Sequence, residues 1–309
     1  MGKSLVLNFH KEENGQLFEK IIIVLKAKYS LVSTNELEQL LNENREVKNI
    51  CHITFDDGVQ SFYTTIFPLL KKYNVPVSLF VSPDIIKTNG NFWFQEMEGY
   101  DEKIIKNILS QLLNISVDKM KKYSSSSILK CLPFSKIKRV AELYRQQTNC
   151  GKKAPQNMNA DQLREVEASG LVTIGAHTLN HPVLKNEDDN TSCYEITESI
   201  KRLEALLGHP VTYFAYPNGR PDIDFGEREM NCLRANKIVM AFSTELHHLN
   251  AKTNLLSIPR MGFARMGLSP SNPLIAFRLN LGTRWIDIKS IGKPSEKKIR
   301  EQIGKLLNL

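Results

Sequence analysis

The chain of 309 residues lacks several features that would assign it to a particular class of protein. No apolar run approaches the roughly 20 residues needed to cross a bilayer, so no transmembrane segment is predicted. The N-terminal stretch MGKSLVLNFHKEENG has a short apolar run and no small-residue cleavage site, which indicates a first β-strand and not a signal peptide. We therefore expect a cytoplasmic protein.

Cysteine is scarce and unpatterned. The five cysteines are scattered along the chain and none stands in a CxxC pair. Disulfide-stabilised small domains and cysteine zinc sites both depend on closely spaced, paired cysteines. We therefore expect neither a disulfide framework nor a zinc site made of cysteine.

No segment concentrates charge of one sign together with aromatic residues. The net charge of +8 favours anionic partners, but the basic residues are spread out and form no compact basic and aromatic cluster. No nucleic-acid partner is predicted. The hydrophobic fraction of 41% and the charged fraction of 24% are those of an ordinary globular protein.

Short apolar runs alternate with amphipathic helical patterns through the first and last thirds of the chain. Strands are predicted at KSLVLNF, ICHITF, PVSLFVS, LVTIGAH, VTYFAYP and IVMAFST. This alternation is typical of a parallel sheet covered by helices. More than five such units without a phosphate-binding glycine fingerprint favour a β/α barrel over a dinucleotide-binding sheet.

Two segments depart from this alternation within what we expect to be a single domain, residues 1–309. Residues 89–159 are rich in Lys and Ser and mostly helical in pattern, which indicates an insertion packed over one end of the barrel. Residues 294–309 form a basic amphipathic helix. Its ordinary interpretation is a solvated terminal helix, and peripheral contact with a membrane surface or a partner is the alternative.

Polar side chains stand where several predicted strands end, and in a β/α barrel the chemistry lies at the C-terminal ends of the strands. Each residue alone has an ordinary structural interpretation, as a turn or a hydrogen-bonded side chain. Their concentration at strand ends predicts one site, formed by His10, Asp56, Asp57, His177, His181, the YPNG turn and Arg260.

The residue types suit a metal-dependent hydrolase. Two imidazoles and one carboxylate make a three-ligand set for a divalent metal, with positions left open for water or substrate. A metal needs only one of the two adjacent aspartates, and the other can act as a base that deprotonates the attacking water. The donor set favours zinc, with cobalt, nickel or manganese as alternatives.

The motifs TFDDG, HTxxHP and FAYPNG resemble those of the NodB-type polysaccharide deacetylases, carbohydrate esterase family four, over residues 3–82 and 160–263. The resemblance implies a distorted (β/α)₇ barrel and metal-dependent removal of acetyl groups from N-acetylated, sometimes O-acetylated, sugars. By position it implies that Asp56 is the general base. It also implies that Asp57, His177 and His181 bind the metal and that the backbone amide of Asn218 stabilises the oxyanion.

The chain departs from the family pattern in two places. The third motif usually carries an arginine where this chain has Ala215, and Arg260 is expected to supply that charge instead. No late strand ends in the family's Leu-x-His motif, but the first strand, LVLNFH, does, as in the circularly permuted poly-N-acetylglucosamine deacetylases. His10 is therefore the expected catalytic acid, with His247 or His248 as the alternative.

Four further residues are expected to contact the substrate. Tyr216 and Pro217 belong to the third motif, and Trp93 and Phe94 stand at the start of the insertion, where flat apolar faces suit a sugar ring. Apolar packing of the insertion is the alternative for Trp93 and Phe94.

Three functions are compatible with these residues. The leading prediction is a deacetylase of an N-acetylated polysaccharide, oligosaccharide or glycan precursor. A NodB-type hydrolase of a small ureide or cyclic imide is the nearest alternative, and a non-catalytic glycan-binding protein on the same barrel is the alternative from another class. The third is disfavoured because the base and all three metal ligands are present.

Overall fold

The structure is a computed structural model and describes residues 3–43, 48–263, 275 and 295–307. Its centre is a parallel sheet in the order β7-β6-β5-β4-β3-β1-β8, and the short β2 pairs with the start of β3 on the edge opposite β1. The strands are β1 (Leu5–Phe9), β2 (Ser30–Leu31), β3 (Ile50–Asp56), β4 (Val77–Val81), β5 (Val172–Ala176), β6 (Tyr213–Ala215), β7 (Met240–Phe242) and β8 (Met261–Gly262).

One segment contacts both edges of this sheet. Ile258 bridges to Phe242 of β7, and its amide donates to the carbonyl of Ala241 at 2.8 Å. A few residues later, Met261 pairs with Leu7 of β1. The sheet is thus curled into a distorted (β/α) barrel, and the fold predicted from the sequence is confirmed.

Some of the α-helices cover the outside of the sheet, and others pack on one another. In the described part of the chain they are α1 (Gly15–Lys28), α2 (Thr34–Asn42), α3 (Phe67–Tyr73), α4 (Pro83–Thr88), α5 (Trp93–Met97), α6 (Glu102–Leu113), α7 (Val117–Met120), α8 (Ser125–Leu129), α9 (Phe134–Thr148), α10 (Ala160–Ala168), α11 (Asp189–Leu207), α12 (Glu227–Ala235) and α13 (Glu296–Leu307). Among these, none is both long and apolar enough to span a membrane. Helices α5 to α9 and α13 are the ones that pack on one another.

The return from the insertion to the barrel is marked by a capping box. The side chain of Asn159 accepts a hydrogen bond from the amide of Gln162 at 2.9 Å, and the Gln162 side chain accepts one from the amide of Asn159 at 3.1 Å. This reciprocal pair satisfies two amides that the first turn of a helix leaves free. It fixes the start of α10.

The insertion has a hydrophobic core of its own, built by α5 to α9. Its fully buried members include Ile108, Leu132 and Val140. Helix α13 packs against this core through Ile303, which is completely buried. The C-terminal helix is therefore not simply a solvated face: its apolar side covers the insertion.

A disulfide joins α11 to α12, contrary to the expectation of no disulfide framework. Cys193 and Cys232 are 39 residues apart in sequence, with their Cα atoms at 5.9 Å. Cys51, Cys131 and Cys150 are free. The pairing depends on how two helices pack side by side, which cysteine spacing alone does not reveal.

Candidate active site

The TFDDG motif forms a sharp turn at the C-terminal end of β3. Asp57 and Gly58 both adopt left-handed backbone conformations, with φ of 73° and 68°. A Cβ on Gly58 would lie 2.9 Å from Cγ1 of Val81, so only glycine fits there without a shift of its neighbours. The Asp-Gly pair therefore does form a turn. Asp56 is the last residue of β3 and Asp57 is the first residue of the turn, so the two aspartates have different backbone conformations.

The expected metal ligands converge. One donor atom from each of Asp57, His177 and His181 lies within 4.8 Å of the others, and all three residues are buried. Oδ1 of Asp57 is 3.8 Å from Nε2 of His177 and 3.9 Å from Nε2 of His181. His177 directly follows β5, and His181 lies four residues on, so the motif brings both rings to the same end of the barrel.

The other nitrogen of His177 is held by the neighbouring strand. Nδ1 of His177 is 2.7 Å from the carbonyl oxygen of Ala215 at the end of β6. Because a carbonyl can only accept, we assign the proton to Nδ1, which leaves the lone pair of Nε2 directed away from β6. This is the usual arrangement of a metal-binding histidine.

The unsatisfied atoms of this cluster fit a cation. Oδ1 of Asp57 and Nε2 of His177 are buried without a hydrogen-bond partner among the described residues. Burial raises the pKa of Asp57 and lowers the pKa of His181 well below its ordinary value. Buried polar atoms without partners are costly, and a divalent cation between one carboxylate and two neutral imidazoles would satisfy them.

The second aspartate lies in a different network. Arg260 donates two hydrogen bonds to Asp56, at 2.7 and 2.9 Å, and Nδ2 of Asn8 donates a third at 3.0 Å. Burial by itself raises the pKa of Asp56, but the charge of Arg260 and its hydrogen bonds to the carboxylate hold the pKa below the ordinary value of a carboxyl. Asp56 is thus kept as a carboxylate.

His10 lies beside this carboxylate at the mouth of the site. Nε2 of His10 is 3.7 Å from Oδ2 of Asp56, and the side chain is 54% exposed. The alternative acids lie elsewhere. His247 and His248 line another cavity, together with residues of the loop before α12, and Nε2 of His247 is 3.3 Å from Oε1 of Glu245.

The third motif follows β6, so its residues stand beside His177. Asn218 has a left-handed φ of 58°, and its carbonyl accepts a hydrogen bond from Oγ1 of Thr244 at 2.7 Å. Tyr216 is 1% exposed, packs flat on Phe225 and donates its hydroxyl to the carbonyl of Leu256 at 2.8 Å. We assign no substrate contact to the side chain of Tyr216.

A cavity of about 430 Å³ opens between the barrel and the insertion. Asp57 and His10 line it from the barrel, and Trp93, Phe94 and Tyr100 line it from the insertion. The indole of Trp93 donates to the carbonyl of His181 at 3.1 Å, and the ring of Phe94 lies 5.0 Å from the His181 ring. Trp93 and Phe94 therefore pack against the loop from His177 to His181 and also face the cavity.

Two contributors to the site were missed by the sequence analysis. Asn8 is a polar residue within the apolar run LVLNF, and this contrast was the available signal. Glu195 is a buried acid on α11 that contacts the loop between His177 and His181. Nothing in the helical pattern of α11 distinguished it from the other acids of that helix.

The fold and the site together define a β/α barrel with a candidate metal site at one end. Residues 43–231 match the family described as polysaccharide deacetylase, and the chain belongs to that family. It is accordingly a carbohydrate deacetylase, a hydrolase of carbon–nitrogen bonds. No curated protein matches the chain in sequence.

Solved structures share its fold. The Streptococcus pyogenes deacetylase PplD in complex with acetate is 18% identical, with a TM-score of 0.58 over 88% of this chain and 96% of that chain. IcaB from Ammonifex degensii is also 18% identical, with a TM-score of 0.56 over 90% and 97% of the two chains. A de-N-acetylase from Aggregatibacter actinomycetemcomitans is again 18% identical and has a TM-score of 0.54 over 84% and 94%.

Proposed function

We propose that this protein is a metal-dependent deacetylase that hydrolyses the acetamide of an N-acetylated sugar in a polysaccharide, an oligosaccharide or a glycan precursor. The observation that carries the proposal is the pairing of two networks at one barrel end. The cluster of Asp57, His177 and His181 fits a cation, and the adjacent Asp56 is held as a carboxylate by Arg260 beside His10.

Asp57, His177 and His181 would hold the metal, and zinc suits one carboxylate and two imidazoles, with cobalt, nickel and manganese as alternatives. When bound, a divalent cation supplies Lewis acidity that polarises the amide carbonyl and makes water easier to deprotonate. His177 presents its Nε2 because its Nδ1 is bonded to β6, so part of the ligand geometry exists beforehand.

The remaining roles follow from the positions of the side chains. Asp56 takes the proton of the attacking water, and its contacts with Arg260 and Asn8 fix the direction of the carboxylate. The backbone amide of Asn218 donates to the oxyanion as the carbonyl becomes tetrahedral. His10, which is exposed to the cavity, delivers a proton to the departing amine.

The cavity favours a substrate longer than one sugar. Its volume of about 430 Å³ falls in the usual range of ligand sites, about 300–1,000 Å³. It runs from Asp57 to insertion residues that offer both rings and polar groups, among them Trp93, Tyr100 and Ser126. Flat apolar faces next to hydrogen-bonding groups suit pyranose rings, so neighbouring sugars would lie along the insertion.

The cytoplasmic location stays a prediction, and one observation weighs against it. Disulfides such as Cys193–Cys232 persist mainly in oxidising compartments. A cytoplasmic enzyme would act on an intracellular precursor, for example a lipid-linked or nucleotide-linked sugar, and the net charge of +8 suits the phosphates of such a precursor. Cell fractionation distinguishes the two cases, because protein found only outside the membrane would contradict the prediction.

The first experiment measures acetate release from N-acetylglucosamine oligomers of increasing length by protein loaded with zinc. We expect release by the parent protein that increases with oligomer length, and loss of release in Asp56→Asn with metal still bound. Metal bound without acetate release from any glycan would contradict the proposal, and hydrolysis of ureides or cyclic imides by the same sample would then establish the small-amide alternative. Absence of metal binding would contradict the metal site itself.

A further inference from the structure

The loop that joins the two histidine ligands has an unfavourable backbone. Thr178 and His181 have φ of 61° and 57°, in the left-handed region. This conformation is uncommon for any residue with a side chain and especially so for a β-branched one. Such a backbone persists only where its surroundings determine it. The loop therefore depends on contacts that hold it in this shape.

Some of these contacts are internal to the loop. Oγ1 of Thr178 donates to the carbonyl of His177 at 2.6 Å and accepts from the amide of His181 at 3.1 Å. One hydroxyl thus connects the two histidines. These bonds close the loop on itself but do not fix it to the rest of the barrel.

One external anchor is a carboxylate on α11, and the hydrogen bond from the Trp93 indole to the carbonyl of His181 is another. Oε2 of Glu195 accepts from the amides of Leu179 and Asn180, both at 3.0 Å, and Oε1 accepts from Nδ2 of Asn180 at 2.7 Å. The side chain is 5% exposed. A buried carboxylate that accepts three hydrogen bonds from one short loop is a strong geometric constraint on that loop.

Helix α11 is itself fixed without Glu195. The disulfide between Cys193 and Cys232 joins it to α12, and Oγ of Ser192 donates to Oε1 of Glu229 at 2.8 Å. The helix is therefore a rigid base from which Glu195 reaches the loop. Removal of the carboxylate should free the amides of Leu179 and Asn180 and leave the helix in place.

We infer that Glu195 is a positioning residue, which sets the relative placement of His177 and His181 before a metal binds. The two imidazole rings lie 4.9 Å apart between centroids, and Glu195 contacts two of the three residues between them, Leu179 and Asn180. The inference rests on the proposed metal site. As a consequence, the His177 and His181 imidazoles are already in place in the metal-free protein, so metal binding does not have to order the loop.

The test compares Glu195→Ala with Glu195→Gln. Glutamine keeps one oxygen that can accept from both backbone amides, whereas alanine keeps none. We expect Glu195→Ala to weaken zinc binding about 10- to 100-fold, the usual effect of losing a group that orients metal ligands, and Glu195→Gln to stay within about 3-fold of the parent. Competition with a chromogenic chelator measures the dissociation constants, and the metal-free melting temperature is recorded for each variant.

A second readout reports geometry directly. The visible absorption of the cobalt-loaded protein should change in Glu195→Ala and stay as in the parent in Glu195→Gln. Glu198→Ala serves as the matched control and should change neither readout, because Glu198 lies on the same helix and forms ion pairs with Lys201 and Arg202.

The outcomes separate this inference from the proposed function. Parent-like zinc affinity and cobalt spectrum in Glu195→Ala would overturn the inference and leave the metal site intact, even if the melting temperature fell. Equal weakening in Glu195→Gln and Glu195→Ala would also overturn it, because a hydrogen-bond acceptor would then not be what matters. A parent protein that binds no metal would contradict the proposed function itself.

Discussion

Arg260 holds both carboxylate oxygens of Asp56, with Nη1 at 2.7 Å from Oδ1 and Nη2 at 2.9 Å from Oδ2. The guanidinium is completely buried, stands over the rings of Phe80 and Phe242, and donates from Nε to the carbonyl of Ser243. The charge that the family's third motif usually supplies at the position of Ala215 thus reaches the aspartate from the segment that closes the barrel.

Loss of this pair should impair both catalysis and stability. We expect Arg260→Met to lower the free energy of unfolding by about 3–5 kcal/mol, because it leaves the Asp56 carboxylate buried and unpaired. The double variant Arg260→Met with Asp56→Asn should recover part of that loss, and urea unfolding of the three proteins measures it. Equal stability of the single and double variants would contradict the expected recovery.

An arginine at position 215, the family's usual position, should be able to replace Arg260 in part. We expect Arg260→Ala to reduce kcat at least about 10-fold with zinc still bound, since Asp56 loses the contact that directs it. Adding Ala215→Arg to that variant should restore part of kcat if only the guanidinium matters. A double variant that binds zinc but has the same low kcat as Arg260→Ala would contradict this prediction.

His10 should matter most for poor leaving groups. We expect His10→Gln to reduce kcat on sugar acetamides about 10²- to 10⁴-fold, the usual contribution of a general acid. The reduction should nearly vanish on an aryl acetate ester, whose leaving group needs no protonation. Steady-state kinetics on both substrates measures the difference. His247→Gln is the control and should react like the parent, because His247 lies in another cavity.

The disulfide should contribute measurably to stability. The chain-entropy model for a closed loop of 39 residues gives about 4 kcal/mol. We expect the purified protein to show three reactive thiols after denaturation and five after reduction, and Cys193→Ser with Cys232→Ser to lower the free energy of unfolding. Cys150→Ser, at a free and partly exposed site, is the control. Five thiols without reduction would contradict the pairing.

Acid should destabilise the barrel through His52. This imidazole is buried between the carbonyl of Val32 and the hydroxyl of Ser78, and burial lowers its pKa from 6.5 to about 4. As the pH falls below 6.5, His52 binds a proton in the unfolded chain but not in the folded chain. The free energy of unfolding therefore decreases with pH until the pH approaches the pKa of His52 in the folded chain. From about pH 7 to about pH 5 this amounts to about 2 kcal/mol of unfolding free energy.

The measurement compares urea unfolding of the parent and of His52→Gln at the two pH values. Glutamine can keep the hydrogen bond to Ser78 but does not titrate, so the stability of the variant should fall less on acidification. An identical fall in both proteins would assign the acid sensitivity to other groups.

The ligand cluster could be predicted because its residues stand directly after buried strands. Asp57 follows β3 and His177 follows β5, and parallel strands end at the same side of a sheet. The barrel followed from the regular alternation of strand and helix patterns. The relation of Arg260 to Asp56 was expected only from its place after a late apolar run, and the structure brings the two into contact.

Contacts between helices could not be predicted from the sequence. The pairing of Cys193 with Cys232 and the burial of Ile303 depend on which helix faces which, and helical periodicity fixes only which face is apolar. The buried position of Tyr216 was missed for a related reason. A residue at a strand end can point into the core or toward the cavity, and the motif does not say which.

The segment that joins the two edges of the sheet lies late in the chain, and this position sets the order in which the parts of the site are completed during translation. All three proposed ligands have been synthesised once residue 181 is made, whereas Arg260 and its neighbour Met261, which pairs with Leu7, come much later. Contacts between such distant residues form slowly, and synthesis supplies the chain from the N-terminus onward. A nascent chain that stops short of residue 258 contains every proposed ligand but neither Arg260, which pairs with Asp56, nor the segment that joins the two sheet edges.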